Sequence, residues 1–142
     1  MMFFSHIAFS FVFSKFFDFE PALLLLGSIF PDIDNTNSVL GKSMPDVSAY
    51  LNNKFGHRGM LHSLLIPITI IAVCFAVQNQ INLKVISFAF GITSHLFLDM
   101  FSNAGVKILY PLEKKFSFFQ KGLDSNFDLL LSLLFLVYIL FF

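Results

Sequence analysis

This chain is short of charge. Of its 142 residues, 9 are Lys or Arg and 9 are Asp or Glu, 13% in all, where a soluble domain carries about a quarter. That shortage excludes an ordinary solvated surface. The signs cancel to a formal net charge of +0, so no global field draws nucleic acid or acidic partners. Cysteine is nearly absent. Cys74 alone excludes an internal disulfide, and within Ile-Ile-Ala-Val-Cys-Phe-Ala-Val it reads as an inert buried thiol. No Lys or Arg precedes the first apolar run, and no small-residue cleavage site follows it. A retained membrane helix is therefore expected rather than a removed signal peptide. What the chain has instead is apolar bulk: 56% hydrophobic residues, 22 of them Phe, and a mean hydropathy of +0.78.

The apolar residues fall into runs: 2–17, 21–30, 61–77, 83–101 and 129–142. Pro21 opens the second run, where its missing N–H is not needed. Residues between Pro31 and Phe55, rich in Asn, Asp, Ser and Gly, read as a loop. Gln78-Asn79-Gln80 marks a turn, and residues 102–125 form a second polar and aromatic stretch. Crossing a bilayer takes about 20 helical residues, with a usual range of roughly 17 to 25. The third and fourth runs meet this, and the first and last come close with their flanks. The second is too short and suits a buried or re-entrant helix. The expected fold is all-α: one membrane-embedded domain over residues 1–142, with four spanning helices and one short one. The alternative is a soluble but very apolar helical bundle.

The ionisable residues sit at the ends of these runs. His95 and Asp99 lie one helical turn apart on one face of an apolar segment. Such groups are costly there unless they pair, bind an ion or line a wet cavity, and at that spacing they can hold one metal together. Asp32 and Asp34 close the second run. If the chain is extended after Pro31, both point to one side. His57 and His62 flank the start of the third run. They are five residues apart, so on a regular helix they would diverge by about 140°; His57 must precede the helix if both bind. His6 lies near the start of the first run. Arg58, the chain's single arginine, offers a guanidinium suited to phosphate or carboxylate. Asp124 and Asp128 open the last run, where they meet the positive end of a helix dipole, and are left outside the site. Lys114, Lys115 and Lys121, interleaved with Phe116, Phe118 and Phe119, read as an interfacial segment facing anionic headgroups.

An up-and-down arrangement brings these residues together. Starts of odd helices and ends of even helices share one membrane face, so His6, Asp32, Asp34, His57, His62, His95 and Asp99 converge there. Lys42, Lys54, Arg58, Lys107, Lys114, Lys115 and Lys121 fall on the same side, against Lys15 and Lys84 opposite. Cytoplasmic loops carry the Lys/Arg excess, which predicts a site facing the cytoplasm, the N-terminus inside and the C-terminus outside.

The ordered set Ser5-His6, Gly27-Ser28 with Pro31-Asp32-Ile-Asp34, Gly56-His57-Arg58 with Leu61-His62-Ser63, Gly91 with Ser94-His95 and Asp99, and Tyr110-Pro111-Leu112 resembles the YdjM-like family of inner-membrane metal-dependent hydrolases. The match covers residues 5–112. Ser5 stands where the family usually has Thr, and no glycine follows His6 at the family's place. The resemblance implies a bacterial-type inner-membrane location and hydrolase activity. Imidazoles and carboxylates without thiolates suit zinc, manganese or iron, and the donors suffice for one ion or two. Paired metals clamp phosphoryl oxygens. Asp34 is a candidate general base, and Arg58 a phosphate grip. The expected activity is metal-dependent hydrolysis of a phosphoester in a membrane lipid or lipid-linked substrate. The rival expectation is a non-catalytic metal-binding scaffold or ion-handling protein. The apolar far halves of the helices argue against a conduit.

Overall fold

The computed structural model describes residues 3–80, 82–118, 130, 133–138 and 141. Six helices are found among them: α1 (Phe3–Phe16), α2 (Pro21–Ile29), α3 (Val39–Ser43), α4 (Pro45–Phe55), α5 (Leu65–Gln78) and α6 (Leu83–Asp99). Single 3-10 turns cover Phe30–Asp34 and Met60–His62. Residues 130, 133–138 and 141 are helical. The last apolar run lies mostly outside the described residues, as do Lys121, Asp124 and Asp128.

Local chemistry sets the boundaries. Pro21 occupies the first turn of α2, and Asn79 ends α5 in the left-handed conformation at φ 52°, a conformation Asn tolerates better than most residues. The stretch expected as a loop holds α3 and α4. Ser38 caps α3 by accepting from the Gly41 N–H at 2.9 Å, and Pro45 starts α4. Both start signals are strong; the low average hydropathy of the stretch conceals them.

The frame is the crossing of α2 and α6. A Cβ on Gly27 would lie 2.1 Å from the Phe88 carbonyl oxygen, and one on Gly91 would lie 2.2 Å from that of Leu24. Only glycine permits this approach of two backbones. Serines fill the neighbouring space. Ser10 and Ser94 hydroxyls meet at 3.3 Å between α1 and α6. At the opposite end the Glu20 N–H donates to Ser87 Oγ at 2.9 Å, tying the α1–α2 connection to the first turn of α6. Small and hydroxylated residues at helix contacts are the packing mode of helices surrounded by lipid.

The surface complements that interior. Phe4, Phe16, Leu26, Ile68, Val73, Phe75, Val77 and Phe97 are exposed, whereas Ser5, Ser10, Ser28, Ser63 and Ser87 are fully buried. Cys74 is half-buried on α5, its thiol 3.7 Å from Gln78 Oε1, so the expected burial is not found. The expectation of four spanning helices is also corrected. No helix among the described residues is long and apolar enough to cross a membrane. The third apolar run loses its first residues to the Met60–His62 turn, leaving 14 residues in α5, and α6 has 17. At 1.5 Å per residue these reach about 21 and 26 Å, against a hydrocarbon core of about 30 Å.

Candidate metal centre

The α2–α6 crossing delivers His95 to the end of α2. Its Nδ1 donates to the Ser28 carbonyl at 2.6 Å, which fixes the tautomer and leaves the Nε2 lone pair facing inward. Asp99 follows one turn later. Asp32 enters from the 3-10 turn after α2, and His62 from the turn before α5. His62 Nε2 lies 4.0 Å from Asp32 Oδ1 and 3.7 Å from Asp99 Oδ2; His95 Nε2 lies 3.9 and 3.8 Å from the same two oxygens. These gaps are too long for hydrogen bonds. Donors about 2.0–2.2 Å from one tetrahedral ion stand about 3.3–3.6 Å apart, close to what is seen. His62 Nε2 and His95 Nε2 are buried with no hydrogen-bond partner. Unpaired lone pairs turned toward two carboxylates are what a divalent cation requires and what a plain hydrogen-bonded core would avoid. The residues present therefore fit such an ion.

His6 reaches the same cluster from α1. Its Nε2 stands 3.5 Å from Asp99 Oδ1, its ring stacks on His95 at 4.0 Å, and its Nδ1 is buried without a partner. His6, His95 and Asp99 form one group able to hold a metal; Asp32, His62 and His95 form another. Five of the seven residues singled out as ligands thus converge at one end of the helices.

Asp34 and His57 stand behind that cluster. The segment after Pro31 is a 3-10 turn rather than extended chain, so residues two apart diverge. Asp32 turns toward His62 and His95, and Asp34 toward the 57–62 segment. Asp34 Oδ1 accepts from His57 Nδ1 at 2.8 Å; Oδ2 accepts from His62 Nδ1 at 3.1 Å and from the Arg58 N–H at 3.3 Å. A carboxylate on the far nitrogen of a histidine orients the ring and raises its basicity. His57 precedes the Met60–His62 turn. Its side chain is 39% exposed and that of Asp32 21%, so the cluster opens on their side.

Burial acts most strongly on the Asp34 carboxyl and by itself would raise its pKa. The hydrogen bonds of His57 and His62, and the charge on those rings, outweigh it and hold Asp34 below its ordinary value. Asp32 has no such bonds. Burial leads, and Asp32 sits above its ordinary value although His6 and His62 pull the other way.

Arg58 adopts a left-handed backbone at φ 61°. Its Nη2 lies 3.2 Å from Asp99 Oδ2, and its Nη1 donates to Ser102 Oγ and, at 3.5 Å, to the Gly105 carbonyl. Its Nε is buried without a partner. Sequence reasoning missed three contributors: the Ser28 carbonyl, Ser102 and the Gly105 carbonyl. The pairing of Gly27-Ser28 with Gly91 carried a signal for the first, because such glycines mark close backbone approach. Main-chain oxygens carry no signal of their own.

The fold and cluster together define a helical protein with an apolar exterior around a buried His/Asp centre. The chain belongs to the YdjM inner membrane protein family, whose model it matches over residues 1–142. It is 34% identical over 102 residues to the uncharacterized protein YvsG of Bacillus subtilis (strain 168), covering 68% of this chain and 62% of that protein. It is 31% identical over 104 residues to the inner membrane protein YdjM of Escherichia coli (strain K12), covering 65% of this chain and 49% of that protein. The matched region thus spans about half to three fifths of these curated relatives. No solved structure matches the chain.

Proposed function

We propose that this chain is a membrane-seated, metal-dependent hydrolase of a phosphoester in a lipid or lipid-linked substrate. The reading is carried by the two buried, unpartnered imidazole nitrogens of His62 and His95 facing the Asp32 and Asp99 carboxylates. Asp32, His62, His95 and Asp99 would hold a divalent transition metal, zinc or manganese, with His6 beside it as a further donor for the same ion or a second. Such an ion would supply Lewis acidity and a nucleophile drawn from water near neutral pH.

The chain's own residues do the rest. Ser28 and Asp34 fix the tautomers of His95 and His62. Both oxygens of Asp34 are engaged, which favours an orienting role over that of general base. Arg58 balances Asp99, and its side chain, 15% exposed, offers its charge to a substrate phosphate. The basic residues expected on the site side, Lys42, Lys54, Arg58, Lys107, Lys114 and Lys115 among the described ones, against Lys15 and Lys84 opposite, support a centre turned to the cytoplasm. The apolar outer faces of α1, α5 and α6 support seating among lipid tails.

One observation favours a second reading, a structural metal clamp. Four protein donors close a tetrahedral zinc, whereas catalytic zinc keeps a position open.

Metal analysis and turnover decide between the readings. Detergent-purified protein is expected to carry a transition metal that His95→Ala and Asp99→Ala lose; unchanged metal content in both would overturn the centre. With metal bound, phosphoester turnover in lipid is expected, and Arg58→Lys should lower it while metal stays bound. Full metal occupancy without turnover of phosphoester, ester or amide substrates would establish the clamp. Loss of metal in Arg58→Lys would make Arg58 architectural.

A further inference from the structure

Between the two ligand-bearing turns lies an element that the centre does not use. Residues 38–55 form α3 and α4, whose outward side carries large apolar residues among polar ones. On α4, Val47, Tyr50, Leu51 and Lys54 fall within an arc of about 100°. Val47 and Tyr50 are 41% and 59% exposed on that arc, and Val39 and Met44 continue the patch at 58% and 46%. Leu51 and Phe55 are half-buried, and the tightest inward contacts are made by small residues. Ser48 is fully buried, and a Cβ on Gly41 would lie 1.9 Å from the Asn35 carbonyl and 2.9 Å from Ser48 Oγ.

Cations rim the patch. Lys54 donates to the Tyr50 hydroxyl at 3.0 Å and lies over the Tyr50 and Phe55 rings. Lys42 is exposed on α3. Within residues 38–55 a single acid, Asp46, stands against Lys42 and Lys54. Tyrosine and lysine side by side above aliphatic residues are the signature of the lipid–water boundary.

We propose that the α3–α4 hairpin lies flat on an anionic phospholipid bilayer. Val39, Met44, Val47 and Tyr50 dip about 5–10 Å into the headgroup boundary, and Lys42 and Lys54 meet lipid phosphates. The hairpin is rigidly joined to the centre at both ends. Ser38 Oγ donates to the Asp32 carbonyl at 2.6 Å, and α4 runs through Gly56 directly into His57. Seating the hairpin therefore holds the open Asp32–His57 edge at headgroup depth. This names the substrate class, an anionic lipid headgroup phosphoester, and that part alone rests on the hydrolase reading.

The test measures depth rather than turnover, so the two readings fail separately. Val47→Cys, Tyr50→Cys and Asn53→Cys, each in a Cys74→Ala background, are spin-labelled in the full chain. The protein is reconstituted in vesicles of phosphatidylethanolamine and phosphatidylglycerol. Labels at 47 and 50 are expected to collide with oxygen and to meet a water-soluble nickel chelate severalfold less often than the label at 53. Chelate access equal at all three positions would overturn the proposal, as would protection from both reagents at 47 and 50, which would mean cover by protein, a second copy included. Lys42→Glu with Lys54→Glu should raise chelate access at 47; no change would remove the role of the anionic headgroups.

Discussion

Asp34 concentrates several demands on one side chain. Its two oxygens serve His57, His62 and the Arg58 amide, so they set the tautomer of a ligand and the path of the loop that carries it. Asp34→Asn keeps the size but replaces one acceptor oxygen with a donor, which faces a ring N–H and must turn a histidine away. Metal affinity is expected to fall on the order of 10–100-fold, the usual effect of removing such an orienting partner, with the helical content unchanged in circular dichroism. Equal affinity would show that the Asp34 bonds do not tune the centre. Residue identity alone could not separate Asp32 from Asp34. They share a motif and a residue type, and only the 3-10 geometry of Phe30–Asp34 sends one to the ligand cluster and the other behind it.

The contact of α2 with α6 governs the site because it leaves no slack. Gly91→Ala would drive a methyl to within 2.2 Å of the Leu24 carbonyl, a backbone atom that cannot step aside. The helices must separate, at a cost of about 1–3 kcal/mol as for other overpacked contacts, and the His95–Ser28 bond lengthens with them. Thermal unfolding and metal content are both expected to drop; a variant with unchanged metal affinity would show that the crossing and the centre are uncoupled. At this scale much was legible. The apolar runs located α1, α2, α5 and α6, and the i, i+4 spacing of His95 and Asp99 located the heart of the cluster. The short helices α3 and α4 were not legible, because their apolar positions are few and only some of them turn inward. Nor was the late start of α5, because Leu61, His62 and Ser63 look like helix while their side chains are held by the centre and by Met60.

For the whole molecule, charge carries an expectation of orientation. Lys42, Lys54 and Arg58 lie on the centre's side and Lys15 and Lys84 on the other. Asp46→Cys in a Cys74→Ala background is therefore expected to react with an impermeant thiol reagent only from the cytoplasmic side of inverted membranes. Reaction only from the periplasmic side would reverse the assignment. The large share of apolar side chains left on the outside has a thermodynamic consequence. A water-soluble fold gathers alkyl groups inward and wets them when it melts, which gives unfolding its large heat capacity. Here hydroxyls, glycines and imidazoles share the interior with a small aliphatic cluster of Ile92, Leu96 and Val106, while many alkyl and phenyl groups, Ile68, Val73, Phe75, Val77 and Phe97 among them, already face outward. Cohesion then depends more on close van der Waals fit and hydroxyl bonds, and less on expelled water, than in a water-soluble fold. Heat would part these helices in lipid with a smaller change in solvent order, so the curve of stability against temperature should be flatter than that of a water-soluble domain of the same length.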